Sequence, residues 1–247
     1  MQESSGLAFI GGSLWTINDS GNDAEIYRLT PHGSEQQTVT IAGIENIDWE
    51  ALAHDEEFIY IADIGNNFNG RDFLIIYRIP VPGVMDESVV PVISTLTYLD
   101  REPGGNPASH NFDAEGLAVN GDELWLFTKN RADGNTNLYR FPKAPGDYTP
   151  SSSQTLPVDS LITAADINPD TGELVMLAVN QAGDDASYII RAPTSDSGVD
   201  WSGSQKLSIG PTDQWEAVVW MSENEVILSH ERETRSYAGL GRIQFSD

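Results

Sequence analysis

Strand-sized runs of apolar, β-branched and aromatic residues alternate along the whole chain with Gly-, Asn- and Asp-rich turns, and no stretch carries a helical period of note. The runs fall into a repeat. Its first member is small and apolar, as in Gly6 to Ile10, Ala51 to Ala53, Gly116 to Val119, Ala164 to Ile167 and Ala217 to Trp220. Its second is richer in bulky residues: Leu14 to Ile17, Ile59 to Ala62, Leu124 to Phe127, Leu174 to Leu177 and Val226 to Leu228. Turns such as Gly11-Gly12 and Asn120-Gly121-Asp122 join the two as hairpins. A third run ends each time on arginine, at Arg28, Arg78, Arg140, Arg191 and Arg242, with spacings of 50, 62, 51 and 51 residues. Fourth runs follow, as in Gln37 to Ala42, Val92 to Tyr98 and Gln205 to Ile209.

Four-stranded units at this period predict an all-β fold, a five-bladed β-propeller with an incomplete last blade, in a single domain over 1–247. The blades are expected at about 3–44, 45–100, 112–158, 160–210 and 212–247. A Pro/Gly-rich insertion at about 80–111 reads as a loop or outer-edge excursion. Only Ile243 to Asp247 follow the last repeat arginine, which predicts a three-stranded closing blade or a piece of a longer chain. An arginine present in every blade is expected to anchor blade to blade rather than to bind a ligand.

Charge then narrows the function. With 38 acidic and 13 basic residues the net charge is −25, which disfavours nucleic acid and anionic membrane surfaces and favours cations. The same acidity fits plain solubility or a saline habitat. The absence of cysteine excludes a disulfide scaffold, a thiolate metal site and a cysteine nucleophile. No apolar run is long enough to span a bilayer, so no membrane insertion is expected. A periplasmic or secreted location is expected, with the cytoplasm as the alternative, and a monomer.

In a propeller, loops entering the innermost strand and leaving the second strand share the channel mouth. Entering, the sequence has Asp48-Trp-Glu50, Asp113-Ala-Glu115 and Gln214-Trp-Glu216, with Ser5 and Thr163 at the matching positions. Leaving, it has Asp19, Asp63, Lys129-Asn130-Arg131, Asn180 and His230-Glu231-Arg232. Converging carboxylates repel unless protonated or bridged by a cation, so a hard divalent ion, Ca²⁺ or Mg²⁺, is the expected cofactor. Its candidate ligands are Glu50, Glu115, Glu216, Asp63, Asp19 and Asn180. Glu50, Glu115 and His230 are the candidate catalytic groups. Lys129, Arg131, Arg232, Trp49 and Trp215 are candidates to hold a small-molecule or glycan ligand. Two stretches, Asp19 to Glu25 and Asp63 to Asp72, also look like calcium loops without the full EF-hand pattern. The competing reading makes the repeated Glu a blade fastener and the two tryptophans inter-blade packing.

The runs Asp-x-Glu-Gly/Ala-Leu-Ala, Asp63-Ile-Gly-Asn-Asn67, Tyr77-Arg78 and Thr163 to Asp166 resemble bacterial phytase-like and lactonase-like propeller proteins of the gluconolactonase–paraoxonase type. That resemblance implies a divalent metal in the channel, held at Glu50, Glu115, Glu216, Asn180 and Asp63. The chain departs from it in having five blades where six are usual, and in lacking a His dyad. The basic cluster expected for phytate is reduced to Lys129, Arg131 and Arg232. The function expected is metal-dependent hydrolysis of a small ester, lactone or phosphoester; the alternative is a non-catalytic ligand-binding or protein-interaction propeller.

Overall fold

The computed structural model describes residues 4–101, 106, 109–180, 186–211, 215–230 and 239–246. Five antiparallel sheets follow one another in chain order, with no helix longer than the single 3₁₀ turn Trp201–Gly203 among the described residues. Blade 1 runs Ser4–Ile10, Ser13–Asn18, Glu25–Leu29, Glu35–Ile41; blade 2 Trp49–His54, Phe58–Asp63, Leu74–Pro80, Val92–Leu96; blade 3 Ala114–Asn120, Glu123–Thr128, Thr136–Pro142, Ser152–Leu156. Blade 4 uses Leu161–Ile167, Glu173–Val179, Ala186–Ser195 and Gln205–Pro211. Blade 5 has three strands among the described residues, Trp215–Ser222, Glu225–His230 and Gly239–Gln244. Each innermost strand contacts that of the next blade, and the fifth returns to the first, so the ring is closed. The chain is a five-bladed β-propeller.

The inner strands demand small residues because they converge. Gly6 has the Leu52 backbone so close that a Cβ would lie 2.6 Å from its nitrogen. The register-equivalent residues are Ala51, Gly116, Ala164 and Ala217, all without bulk. The Gly11–Gly12 hairpin needs positive φ at both central residues, 56° and 77°, which glycine supplies without strain.

The hydrophobic core lies between blades rather than inside the channel. Trp15, Val39, Ile59 and Tyr77 fill the seam between blades 1 and 2, and Tyr60, Leu96, Leu126 and Tyr139 that between blades 2 and 3. Trp125, Leu156, Leu174 and Val199 pack blade 3 on blade 4. Burying one such side chain contributes about 1.5–3 kcal/mol, so each seam is a substantial share of the stability. The seam between blades 5 and 1 is thin: its fully buried apolar members are Leu7, Leu14, Leu29, Ala217, Val219 and Ile227.

The repeated arginines are structural: all five act within their own blade, and those of blades 4 and 5 also reach the next blade. Each reaches the first residue of its own second strand. Arg28 donates to Ser13 Oγ at 2.7 Å, Arg140 to Glu123 and Arg191 to Glu173 at 2.6 Å each, and Arg242 to Glu225 at 3.2 Å, while Arg78 lies over the Phe58 ring at 4.4 Å. The register explains the pattern, since a cross-strand neighbour is nearer than the next blade. Arg191 also stacks on Trp220 and Phe245 of blade 5, and Arg242 reaches the Pro31 carbonyl of blade 1.

Candidate functional site at the channel mouth

All five inner strands carry a β-bulge at the same place. The pairing skips one residue between Ser4 and Gly6, Trp49 and Ala51, Ala114 and Gly116, Ile162 and Ala164, and Trp215 and Ala217. The extra residues are Ser5, Glu50, Glu115, Thr163 and Glu216, the five positions at which the sequence expects the site. A bulged residue leaves the alternation of the strand and re-aims its side chain.

The bulges do two different jobs. Ser5 Oγ donates to the Trp49 carbonyl at 2.9 Å and Thr163 Oγ1 to the Trp215 carbonyl at 3.2 Å, so the short hydroxyls fasten blade 1 to 2 and blade 4 to 5. The three glutamates are too long for that bond and extend into a shared electrostatic field. Burial lifts Glu216 above the ordinary carboxylate range; Lys129 pulls it down and Asp19 pushes it up. Burial lifts Glu50 well above that range, followed by repulsion from Glu115, Asp19 and Asp48, with Lys129 opposing. Burial raises Glu115 as well, against the attraction of Lys129.

Cations belonging to the chain divide this ring. Lys129 Nζ sits 2.8 Å from Glu115 Oε1, and Arg131 lies 2.8 Å from Asp113 and 3.8 Å from Glu115. Burial alone would push Lys129 down, but Glu115 and Glu216 hold it well above its ordinary value, so it stays charged. Asp63, fully buried, is taken by Arg71 at 2.6 Å and by the Asp48 backbone N–H at 3.2 Å. What remains is Asp19, Asp48 and Glu50, whose carboxylate oxygens lie within 4.8 Å of one another. Loss of hydration and then the charge of Asp19 push Asp48 up to about 6, although Arg71 opposes them. Gly65 closes one side of this group: a methyl there would collide with the Asp48 and Glu50 carboxylates.

Of the six expected metal ligands, the structure therefore brings Asp19 and Glu50 together and adds Asp48. Glu115 and Glu216 face Lys129, and Asp63 faces Arg71, because cations of the chain reach them first. Asn180 ends the described part of its loop; its N–H bonds the Ala186 carbonyl at 2.9 Å. Arg232 and Glu231 lie outside the described residues. Trp49 is fully buried against Tyr77, so it has no face left for a sugar and is inter-blade packing. Trp215, half-buried, meets the edge of the His230 ring at 5.1 Å and packs over Gly241. His230 closes the second strand of blade 5, level with Asp63 of blade 2.

The Asp63 to Asp72 stretch is filled by arginine rather than shaped for calcium. Asn66 Oδ1 accepts the Arg71 N–H, and Arg101 donates to Asn69 Oδ1, the Asn69 carbonyl and the Arg71 carbonyl. The same loop docks on blade 3: Asn66 N–H donates to Asp113 at 2.9 Å and Arg131 to Asn67 Oδ1. In the other loop the Asp19 carbonyl accepts from Asn22 and Asn46. A cavity of about 400 Å³ opens at the far end of the channel, between Phe9, His54, Val119 and Ile167, with Asp55, Glu56 and Asp170 in its lining and none of Asp19, Asp48 and Glu50.

No protein-family profile matches the chain, and no curated protein is similar to it in sequence. Similar solved structures include a glucose dehydrogenase, 9% identical, with a TM-score of 0.56 over 100% of this chain and 97% of that one. Another is exo-β-1,3-galactanase from Phanerochaete chrysosporium with galactose, 15% identical, with a TM-score of 0.57 over 93% of this chain. The match spans 56% of the galactanase. At such identities the likeness is one of fold.

Proposed function

We propose that the protein binds a divalent cation, Ca²⁺ or Mg²⁺, through Asp19, Asp48 and Glu50, and hydrolyses a small ester, lactone or phosphoester at the channel mouth. The observation that carries this reading is the division of the ring. The carboxylates of Asp19, Asp48 and Glu50 converge, while a charged lysine stands beside Glu115 on the adjacent blade. Hard oxygen donors of this kind suit Ca²⁺ and Mg²⁺ and not softer metals. When bound, the cation would supply Lewis-acid polarisation of the substrate oxygen and a more acidic water.

The chain's own groups supply the rest. Burial and repulsion from neighbouring carboxylates raise Asp48 to about 6 and lift Glu50 well above the ordinary carboxylate range, which brings both nearer to neutral pH and lowers the cost of a proton transfer. Lys129 Nζ, anchored by Glu115, offers N–H donors to an oxygen that gains negative charge. Arg131, with part of its guanidinium exposed, extends that positive side toward solvent. The likeness to lactonase-type and phytase-like propellers in the Asp-x-Glu and Asp-Ile-Gly-Asn-Asn runs supports the same chemistry. A periplasmic or secreted setting suits a site of three carboxylates, since extracellular calcium modules work at about 10⁻⁴–10⁻³ M.

The test is a thermal melt of EDTA-treated protein at constant ionic strength, with and without Ca²⁺, Mg²⁺ or Mn²⁺. The expected result is a rise in Tm with one of these ions, absent in Asp48→Asn and Glu50→Gln, after which esters, lactones and phosphoesters are assayed. Equal melts with and without each ion would discard the reading.

A further inference from the structure

The channel has a second mouth, and one register position builds its wall. Three residues beyond the small residue that follows each bulge stand Phe9, His54, Val119, Ile167 and Trp220, which pair with Leu14, Ile59, Leu124, Leu174 and Val226. Three residues of strand cover about 10 Å, so this ring lies well along the channel from the bulged glutamates. Four of its members are apolar, and the fifth is a histidine. Two cavities open against it, of about 400 and 170 Å³, and they share Phe9, His54, Asn168 and Asp170.

One position beside the ring breaks the repeat. The residue just before it is Ala8, Ala53, Ala118 and Val219 in four blades, but Asp166 in blade 4. The fold therefore does not require a carboxylate there. Asp166 is 8% exposed and lines the smaller cavity, where its Oδ2 accepts the Trp220 N–H at 2.9 Å. Burial lifts its carboxyl above the ordinary range, while His54 and the N–H groups of Trp220 and Ile167 oppose the rise. The rim has the same sign. Asp55, Glu56 and Asp170 line the larger cavity, and the lysine among them, Lys143, is held at 3.2 Å by Asp55 and at 3.9 Å by Asp122.

We propose that this far mouth binds a small organic amine with an aromatic or branched aliphatic body. The body rests on Phe9, Val119 and Ile167, and the ammonium group points to Asp166 and the acidic rim. The larger cavity falls within the range of small-molecule sites, roughly 300–1,000 Å³. An ammonium group returns to Asp166 the stabilisation of charge that burial removes, and the ring of Phe9 attracts a cation as well as an apolar body. An anion is a poor occupant, since it meets Asp55, Glu56, Asp166 and Asp170. The net charge of −25 draws cations to either mouth, but an apolar wall gives a bare metal ion no ligands.

The probe is 2-phenylethylamine, titrated calorimetrically into the intact protein at constant ionic strength in EDTA, with 2-phenylethanol and 3-phenylpropionate as neutral and anionic analogues. One saturable site is expected, roughly tenfold or more tighter for the amine than for either analogue. Asp166→Asn keeps an acceptor for the Trp220 N–H and should bring the amine down to the affinity of the alcohol. Val119→Phe, which fills part of the cavity, should weaken the amine roughly tenfold or more. Glu50→Gln leaves the amine preference in place. No saturable binding of the amine, equal affinity for the three compounds, or binding indifferent to both Asp166→Asn and Val119→Phe overturns the proposal. A preference lost in Glu50→Gln also overturns it, assigning the amine to the carboxylate mouth.

Discussion

Blades 2 and 3 enter the channel with the same plan and opposite electrostatics. Both read Asp-x-Glu, and both anchor the first carbonyl identically: Ile64 N–H bonds Asp48 O at 3.1 Å, and Lys129 N–H bonds Asp113 O at 2.8 Å. The equivalence continues two residues on, where blade 2 has Asn66 and blade 3 has Arg131. Blade 3 therefore carries its own cations at Lys129 and Arg131, whereas blade 2 has a buried isoleucine and an amide there. One half of the mouth is internally neutralised, and the other is left with Asp19, Asp48 and Glu50. Equivalent backbone with different loop residues decides which carboxylates converge on one another and which face a lysine or arginine of the chain.

The largest change to this contrast should come from Lys129→Met. It leaves the buried Glu115 with only the more distant Arg131, at 3.8 Å, and removing one member of a buried pair typically costs about 3–5 kcal/mol. Urea unfolding should report that loss, and adding Ca²⁺ should restore part of it, because blade 3 then resembles blade 2. A double variant Lys129→Met with Glu115→Leu should recover most of the stability without the ion. Next is Gly65→Ala, which pushes a methyl into the Asp48 and Glu50 carboxylates; overpacking of this kind costs about 1–3 kcal/mol. Its decisive readout is loss of the Tm response to divalent ions.

The pH profile sharpens the comparison further. Asp48, pushed up to about 6 by burial, and Glu50, lifted well above the ordinary carboxylate range by burial, hold protons in the folded protein that the unfolded chain releases. Their contribution is complete below the ordinary carboxylate range and falls as pH rises through about 6 and beyond. Denaturation midpoints in EDTA should thus fall as pH rises from about 5 through about 6, with a shallower slope in Glu50→Gln and in saturating divalent ion. The smallest effect belongs to the fastening hydroxyls. Ser5→Ala and Thr163→Ala should each cost about 1 kcal/mol, the worth of one hydrogen bond, with the ion response intact.

The propeller was legible because its signals are local and repeated. Strand patterning, turn residues and the arginine spacing each recur in every unit, and agreement between levels is what specifies a fold. The bulge positions were legible too, since Ser5, Glu50, Glu115, Thr163 and Glu216 align once the units are superposed. The partition of charge was not. It depends on Arg71, Arg101 and Arg131 curling back from loops, and chain order does not state where a guanidinium lands. Asp48 stood beside Glu50 in the sequence as Asp113 stands beside Glu115. The hint that separated them was Ile64-x-Asn66 against Lys129-x-Arg131. Trp49 shows the opposite failure, an aromatic residue beside the mouth whose ring turns wholly into the seam.

The shared bulge gives the ring a kind of interchangeable socket. Serine, threonine and glutamate all sit in it with the same skipped pairing, so its backbone tolerates a fastener or an acid equally. Five such sockets surround one opening. A family of variants could therefore acquire new selectivity by exchanging single side chains at Ser5 or Thr163, each exchange costing a fastener worth about 1 kcal/mol and leaving the scaffold unaltered.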